Sequence, residues 1–244
     1  MEIIAAVLIG LTSGLVGAIA TSGGLISLPG VIFLGASPAV AIATTRLSAA
    51  SGSFASLYRY RKSKMIIWKY VPALVTVAVV AGLIGPRLLL KINEDILEPL
   101  IGILMLSTLP LLLWHKDFGI KHKKMRKRSK AIGMMVLFVV MIYGTMFGAG
   151  GGFFLVYSLM YFFGMNVIEA NATGTAIWLA GTLVALATYI ASGMVLFSIG
   201  IPLMIGSLIG GYFGAQIALT HGTAWVKSVL ILVIVISSIK LILF

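Results

Sequence analysis

Residues 21–29 read Thr21-Ser22-Gly23-Gly24-Leu25-Ile26-Ser27-Leu28-Pro29, a glycine-bearing break followed by a short apolar run. A second break, Gly148-Ala149-Gly150-Gly151-Gly152, is followed by the apolar run 153–164. The two are related by one offset of 129 residues, which sets Ser22-Gly23 on Gly151-Gly152. The same offset sets Gly35 on Gly164, Ala41 on Ala170, Ala43-Thr44 on Ala172-Thr173 and Met65 on Met194. Near the end of each half it sets Gly82 and Gly85 on Gly211 and Gly214. A repeat of this length in a strongly apolar chain points to a membrane protein built from two related halves. In such proteins the site lies where matching segments of the two halves are interrupted by glycine.

Composition sets the class. Of 244 residues 60% are hydrophobic and 10% are charged. A soluble chain of this size cannot hide so much apolar side chain, because most of its surface must face water. Apolar stretches at 3–20, 39–58, 66–90, 96–114, 131–149, 167–192, 195–219 and 224–244 reach or approach bilayer-spanning length. That length is about 20 residues. The fold expected is an all-α polytopic membrane protein with eight to ten membrane segments. Residues 1–114 form the first membrane repeat, 115–130 a basic loop and 131–244 the second repeat.

The net charge of +12 is a matter of placement. Arg59, Arg61, Lys62, Lys64 and Lys69 fall in one loop, and eight of Lys116–Lys130 fall in another. Short loops rich in Lys and Arg stay on the cytoplasmic side, where they also attract anionic lipid. Loops 59–69 and 115–130 are therefore expected to be cytoplasmic, and no nucleic-acid partner is expected. The chain has no cysteine, which excludes disulfides and thiolate metal sites. Ala18-Ile19-Ala20 has the small residues of a leader cleavage site. Glu2 precedes the apolar run with no Lys or Arg before it, so residues 1–20 are read as retained.

Loop charges suggest that the halves are inverted. The first half has a basic loop at 59–69 and an acidic one with Glu94, Asp95 and Glu98. The equivalent loops of the second half are the uncharged Ser192-Gly193-Met194 and the stretch 220–227, which holds His221 and Lys227 and no acid. Equivalent loops then lie on opposite sides. Inversion requires 1–36 and 131–165 each to begin and end on one side. The runs 24–35 and 153–164 would make helices of about 18 Å, short of a hydrocarbon core of about 30 Å. Each half is read as a glycine-tipped helical hairpin followed by three spanning helices.

Several polar residues fall on these elements. Each tip starts a short helix whose free N–H groups and partial positive charge suit an anion. Arg46 lies inside the segment 39–58, and no acid is near it in sequence. A cation at membrane depth needs a partner, so an anionic substrate is one reading. Helix-end carbonyls as its partner are the other. Ser22, Gly23, Gly24, Thr44, Thr45 and Arg46 in the first half are the candidate substrate-binding residues. Gly150, Gly151, Gly152, Asn171, Thr173 and Thr175 are those of the second. Glu169 could favour a helix start or carry a coupling proton. His115, His122 and His221 lack metal-ligand spacing, and no metal or cofactor is expected. There is no nucleophile–base–acid set and no P-loop, so an enzyme is not expected.

With the Gly-Gly tip and Pro29, with Ala43-Thr44, and with the Gly148–Gly152 run and Ala172-Thr173, the chain resembles the TauE/SafE family of sulfite exporters and related anion permeases. The resemblance covers essentially the whole chain. It implies a multi-pass plasma (inner) membrane permease for sulfite, organosulfonates or related small anions. The first tip departs from it, with Thr-Ser-Gly-Gly where a run of glycines is expected. The expected function is a secondary transporter, an exporter working by alternating access at a midplane site. The alternative is an anion channel using the same pathway.

Overall fold

The computed structural model describes residues 2–93 and 127–221, together with 96, 97, 99, 100 and 103. Among these residues there are eight helices and no strand. The first half contributes α1 (Glu2–Ala20), α2 (Gly24–Phe33), α3 (Pro38–Lys62) and α4 (Val71–Leu89). The second contributes α5 (Lys127–Phe147), α6 (Gly151–Phe163), α7 (Val167–Ala191) and α8 (Phe197–His221). Most of the expected span 96–114, all of 224–244 and most of the 115–130 loop lie outside the described residues.

Five helices are long and apolar enough to cross a bilayer: α1, α4, α5, α7 and α8. Their outward residues, such as Ile3, Leu8, Met135, Val139, Ile205 and Phe213, are exposed and apolar, as lipid contact requires. The chain is a multi-pass membrane protein. The two hairpin helices are short: α2 has 10 residues and α6 has 13, or about 15 and 20 Å.

Local chemistry explains the element ends. Pro38 opens α3, where its missing N–H costs nothing. Asn166 and Glu169 form a reciprocal capping box at the start of α7. Gly164 closes α6 in the left-handed conformation, at φ 71°. Two boundaries differ from those read from hydropathy. Helix α3 runs on to Lys62, so Arg59, Arg61 and Lys62 occupy its last turn, where cations complement the helix dipole. Helix α4 begins at Val71 and not at 66, because Ile66–Tyr70 form turns ahead of Pro72.

Small residues set the packing between halves. Helix α1 lies against α8 so closely that a Cβ on Gly10 would fall 2.1 Å from the Leu203 carbonyl oxygen. One on Gly210 would fall 2.0 Å from that of Leu11. In lipid, where apolar surface gains little from self-association, such close backbone approach is the main source of helix–helix attraction.

Many contacts come in exchanged pairs. The Leu196 N–H donates to Thr44 Oγ1 at 3.0 Å, and the Ile67 N–H donates to Thr173 Oγ1 at 3.0 Å. Each partner in the second bond matches a partner in the first under the 129-residue offset. Gly82 packs on the Gly181 carbonyl, and Gly211 packs on that of Gly52, with the same exchange.

Candidate functional site

The two hairpin tips meet inside the molecule. A Cβ on Gly24 would fall 2.8 Å from the Gly148 carbonyl oxygen, and one on Gly152 only 1.5 Å from that of Thr21. Only glycine permits this approach. Matched residues take the turn: Thr21 at φ 55° and Gly150 at φ 75°. For a β-branched residue a positive φ is a costly conformation.

Each tip ends a helix whose last carbonyls need donors. For α1 these come from two buried side chains. Asn171 Nδ2 donates to the carbonyls of Ala18 (2.8 Å) and Ile19 (2.9 Å) and lies 3.0 Å from Tyr60 Oη. Tyr60 Oη donates to Ala18 at 2.7 Å. Thr21 Oγ1 closes the set by donating to Asn171 Oδ1. For α5 the donors are Arg46, Tyr143 and Tyr189. Arg46 Nη1 reaches the Gly144 carbonyl at 3.1 Å, and Tyr189 Oη reaches that of Met146 at 3.0 Å. Tyr143 Oη donates to Ala149 at 2.8 Å.

Arg46 is therefore bound to a helix end, and it also faces a cavity. It is 2% exposed. Its Nε donates to the Ile42 carbonyl at 3.3 Å. With Nη1 engaged at Gly144, that accounts for two of the five N–H donors of a guanidinium. Nη2 lies over Gly148, whose Cβ, if present, would sit 1.8 Å away. The glycine makes room for the guanidinium.

The cavity beside it measures about 40 Å³. Among the described residues Arg46 supplies its only charge: the rest of its lining is glycine, alanine, Trp178 and nine hydroxyls. Those hydroxyls belong to Ser13, Thr21, Ser27, Thr45, Ser48, Ser53, Ser56, Thr175 and Ser207, of which Thr21 is already committed to Asn171. Most of the others donate their proton to a carbonyl. Ser207 donates to Ser48, Thr175 to Asn171, and Ser56 to Gly52 and Gly211. Free donors are scarcer. They are the remaining guanidinium N–H groups and the N–H groups of Gly23 and Gly24, which have no backbone acceptor among the described residues. A cation, two open N–H groups at the start of α2 and a lining without carboxylate or imidazole suit a small anion. Among the described residues no three His, Cys, Asp or Glu side chains gather as a metal site.

Of the residues singled out in the sequence, Gly23, Gly24, Thr45, Arg46 and Thr175 line this cavity. Ser22 is buried beside it, and its Oγ has no hydrogen-bond partner among the described residues. Thr44 and Thr173 receive the exchanged N–H bonds, and Asn171 holds the first tip. Gly150, Gly151 and Gly152 shape the second tip: Gly151 packs on Gly144 and Trp178, and Gly152 on Thr21. Glu169 is half-buried and accepts the Asn166 N–H at 2.9 Å, away from the cavity. Sequence reading passed over Ser13, Ser27, Ser53, Ser56, Ser207 and Trp178, and the tyrosines Tyr60 and Tyr189. The signal was present in α3, where Arg46, Ala49, Ser53 and Ser56 recur at helical spacing and so share one face.

Comparison with known proteins agrees with this architecture. Residues 3–241 match the family model described as sulfite exporter TauE/SafE. A probable membrane transporter protein of Haemophilus influenzae is 26% identical, over 92% of this chain and 88% of its own. The probable membrane transporter protein YfcA of Escherichia coli K12 is 23% identical, over 96% and 87%. The probable membrane transporter protein YunE of Bacillus subtilis is 26% identical, over 99% and 98%. No solved structure gives a significant match. A glycine-tipped, all-helical membrane architecture matched end to end by one family model leaves a plain conclusion: the chain belongs to the sulfite exporter TauE/SafE family of membrane transporters.

Proposed function

We propose that this protein is a secondary transporter of a small anion, with sulfite, an organosulfonate or a related sulfur oxyanion as cargo. The observation that carries the reading is Arg46, a buried guanidinium facing a hydroxyl-lined cavity where the hairpin tips meet. In this reading Arg46 supplies charge and the N–H groups of Gly23 and Gly24 supply directed hydrogen bonds. Thr45 and Thr175 shape the polar wall. Ser22 and Thr44 in the first half, with Asn171, Thr173 and the Gly150–Gly152 tip in the second, hold these groups in place. Glu169 serves the start of α7.

The exchanged contacts support an arrangement in which the halves are inverted repeats about a site near the bilayer midplane. Alternating access would then be a rocking of one half against the other. The basic end of α3 supports a cytoplasmic position for loop 59–69, in a plasma (inner) membrane, with anionic lipid at its surface.

The test is thermal stability of the purified chain against sulfite, sulfate, thiosulfate, taurine-like sulfonates, phosphate and small carboxylates. A ligand at 100 times its dissociation constant adds about 2.7 kcal/mol. Stabilisation by a sulfur oxyanion, lost in Arg46→Ala, is the expected result. Equal stabilisation of Arg46→Ala removes Arg46 from the site. Counterflow in liposomes separates carrier from channel, because only a carrier accelerates exchange.

A further inference from the structure

The cavity is lopsided. Along α3 its lining runs from Thr45 to Ser56, a rise of about 16 Å. Along α7, the matching helix, it contains only Thr175 and Trp178, a rise of about 4.5 Å. The offset of 129 shows why. Ser13, Ser27, Ser48, Ser56 and Ser207 line the first half's side, and their counterparts are Ile142, Val156, Ile177, Ala185 and Ala78. Of the serines only Ser53 keeps a hydroxyl counterpart, Thr182, and Thr182 is buried and outside the cavity. Arg46, Ser53 and Ser56 point the polar wall toward the basic end of α3.

Trp178 stands where the polar lining stops. Its counterpart is Ala49, which also lines the cavity and is half-buried. The indole fills a notch between two glycines: a Cβ on Gly144 would fall 2.6 Å from its Cζ3, and one on Gly151 3.0 Å from its Cη2. Gly144 is also the residue whose carbonyl accepts from Arg46 Nη1. One glycine thus touches both the indole and the charged group. The two halves thus place an indole at one position of the lining and a methyl group at its counterpart.

We infer that Trp178 is the gate of the translocation path, sealing an apolar half-path on the α7 side while the serine-lined half-path on the α3 side stays wet. This rests on reading the cavity as the translocation site. Because Gly144 bears on both groups, anion at Arg46 and the position of the indole are coupled, and the indole also limits the bulk of the cargo.

The chain lacks cysteine, so single cysteines report without background. The full chain in lipid nanodiscs, open to water on both faces, is treated with a sulfonate-bearing methanethiosulfonate reagent. Ser53→Cys labels rapidly, and Thr182→Cys labels slower by at least about tenfold, since thiol reaction rates follow access. Adding Trp178→Ala raises labelling of Thr182→Cys about tenfold, and adding Ala49→Trp lowers that of Ser53→Cys by a similar factor. If Trp178→Ala does not elute as a monodisperse species, Trp178→Leu takes its place. Labelling of Thr182→Cys as fast as Ser53→Cys with Trp178 intact overturns the inference. So does unchanged labelling of Thr182→Cys in a folded Trp178 variant. Sulfate stabilisation of the unlabelled protein is read separately, so failure of the Arg46 site and failure of the gate give different results.

Discussion

At the first tip a threonine holds the left-handed position, and at the second a glycine holds it. Around them the donors differ as well. The end of α1 is held by an amide, Asn171, reaching across from the second half. The end of α5 is held by a guanidinium, Arg46, reaching across from the first. Both designs solve one problem, the unmet carbonyls of a helix that stops inside the protein. Only one of the solutions introduces a charge, and that charge lines the cavity. Two halves with a common backbone plan have thus been given unequal tasks. The second half's donor is spent on structure, while the first half's donor is shared between a helix end and the cavity.

The largest effect expected from breaking this arrangement is at the tips. Gly152→Val places a side chain where the Thr21 carbonyl stands, and no rotamer relieves it. Destabilisation above about 3 kcal/mol is expected, seen as loss of the monodisperse species on size-exclusion chromatography. A well-folded Gly152→Val protein would show that the tips do not meet as described.

Next come the two cross-half donors. Asn171→Ala strands the carbonyl of Ile19, leaves that of Ala18 to Tyr60 alone and removes the acceptor of Thr21 Oγ1, which costs about 2–4 kcal/mol in thermal unfolding and leaves anion binding impaired only through stability. Arg46→Lys keeps the charge and loses the fork, so anion stabilisation falls while the unfolding midpoint drops by less than for Asn171→Ala. A reversed order would exchange the roles assigned to the two tips.

Smaller effects sharpen the symmetry. Thr44→Val and Thr173→Val each remove one exchanged bond, at about 1 kcal/mol apiece. The two sites share no partner, so the double variant should be additive to about 0.5 kcal/mol. Strong non-additivity would indicate that the bonds report one interface and not two. The smallest effect concerns Thr21. In an Asn171→Ala background its hydroxyl has lost its acceptor, so Thr21→Gly relieves the left-handed strain and gains about 1 kcal/mol.

How much of this was legible in the sequence follows from range. The glycine breaks, the repeat and most of the spans are local or periodic signals, and they locate the tips and the short helices α2 and α6 to within a few residues. The family likeness, carried by the same motifs, agrees with the match over 3–241. The end of α3 was misjudged because Arg59, Arg61 and Lys62 read as loop by charge, although cations also suit the last turn of a helix. The site was half legible. Arg46 stands out because a charge at membrane depth demands an explanation. A serine in a membrane helix carries no such demand, since it can bond its own backbone. Whether Ser53 or Thr44 faces a cavity or a neighbouring N–H is decided by the helix opposite, about 150 residues away for Thr44 and Leu196. Trp178 was invisible for the opposite reason. A large apolar residue in a membrane helix is the default, and only the glycines packed on it mark it out.

The exchanged bonds of Thr44 and Thr173 bear on ancestry and on fragments. Each receives an N–H from the connection that precedes the last described helix of the other half, α8 or α4. Residues 1–114 expressed alone would leave the Ile67 N–H and the Ile19 carbonyl waiting for groups that lie beyond residue 130. The second half alone would lack Thr44 and Arg46 in the same way. Neither piece is a smaller version of the whole. A gene for one half could have encoded a stable protein only as a pair of copies completing each other, and the two pieces of the present chain, made separately in one cell, should reassemble where either by itself is degraded.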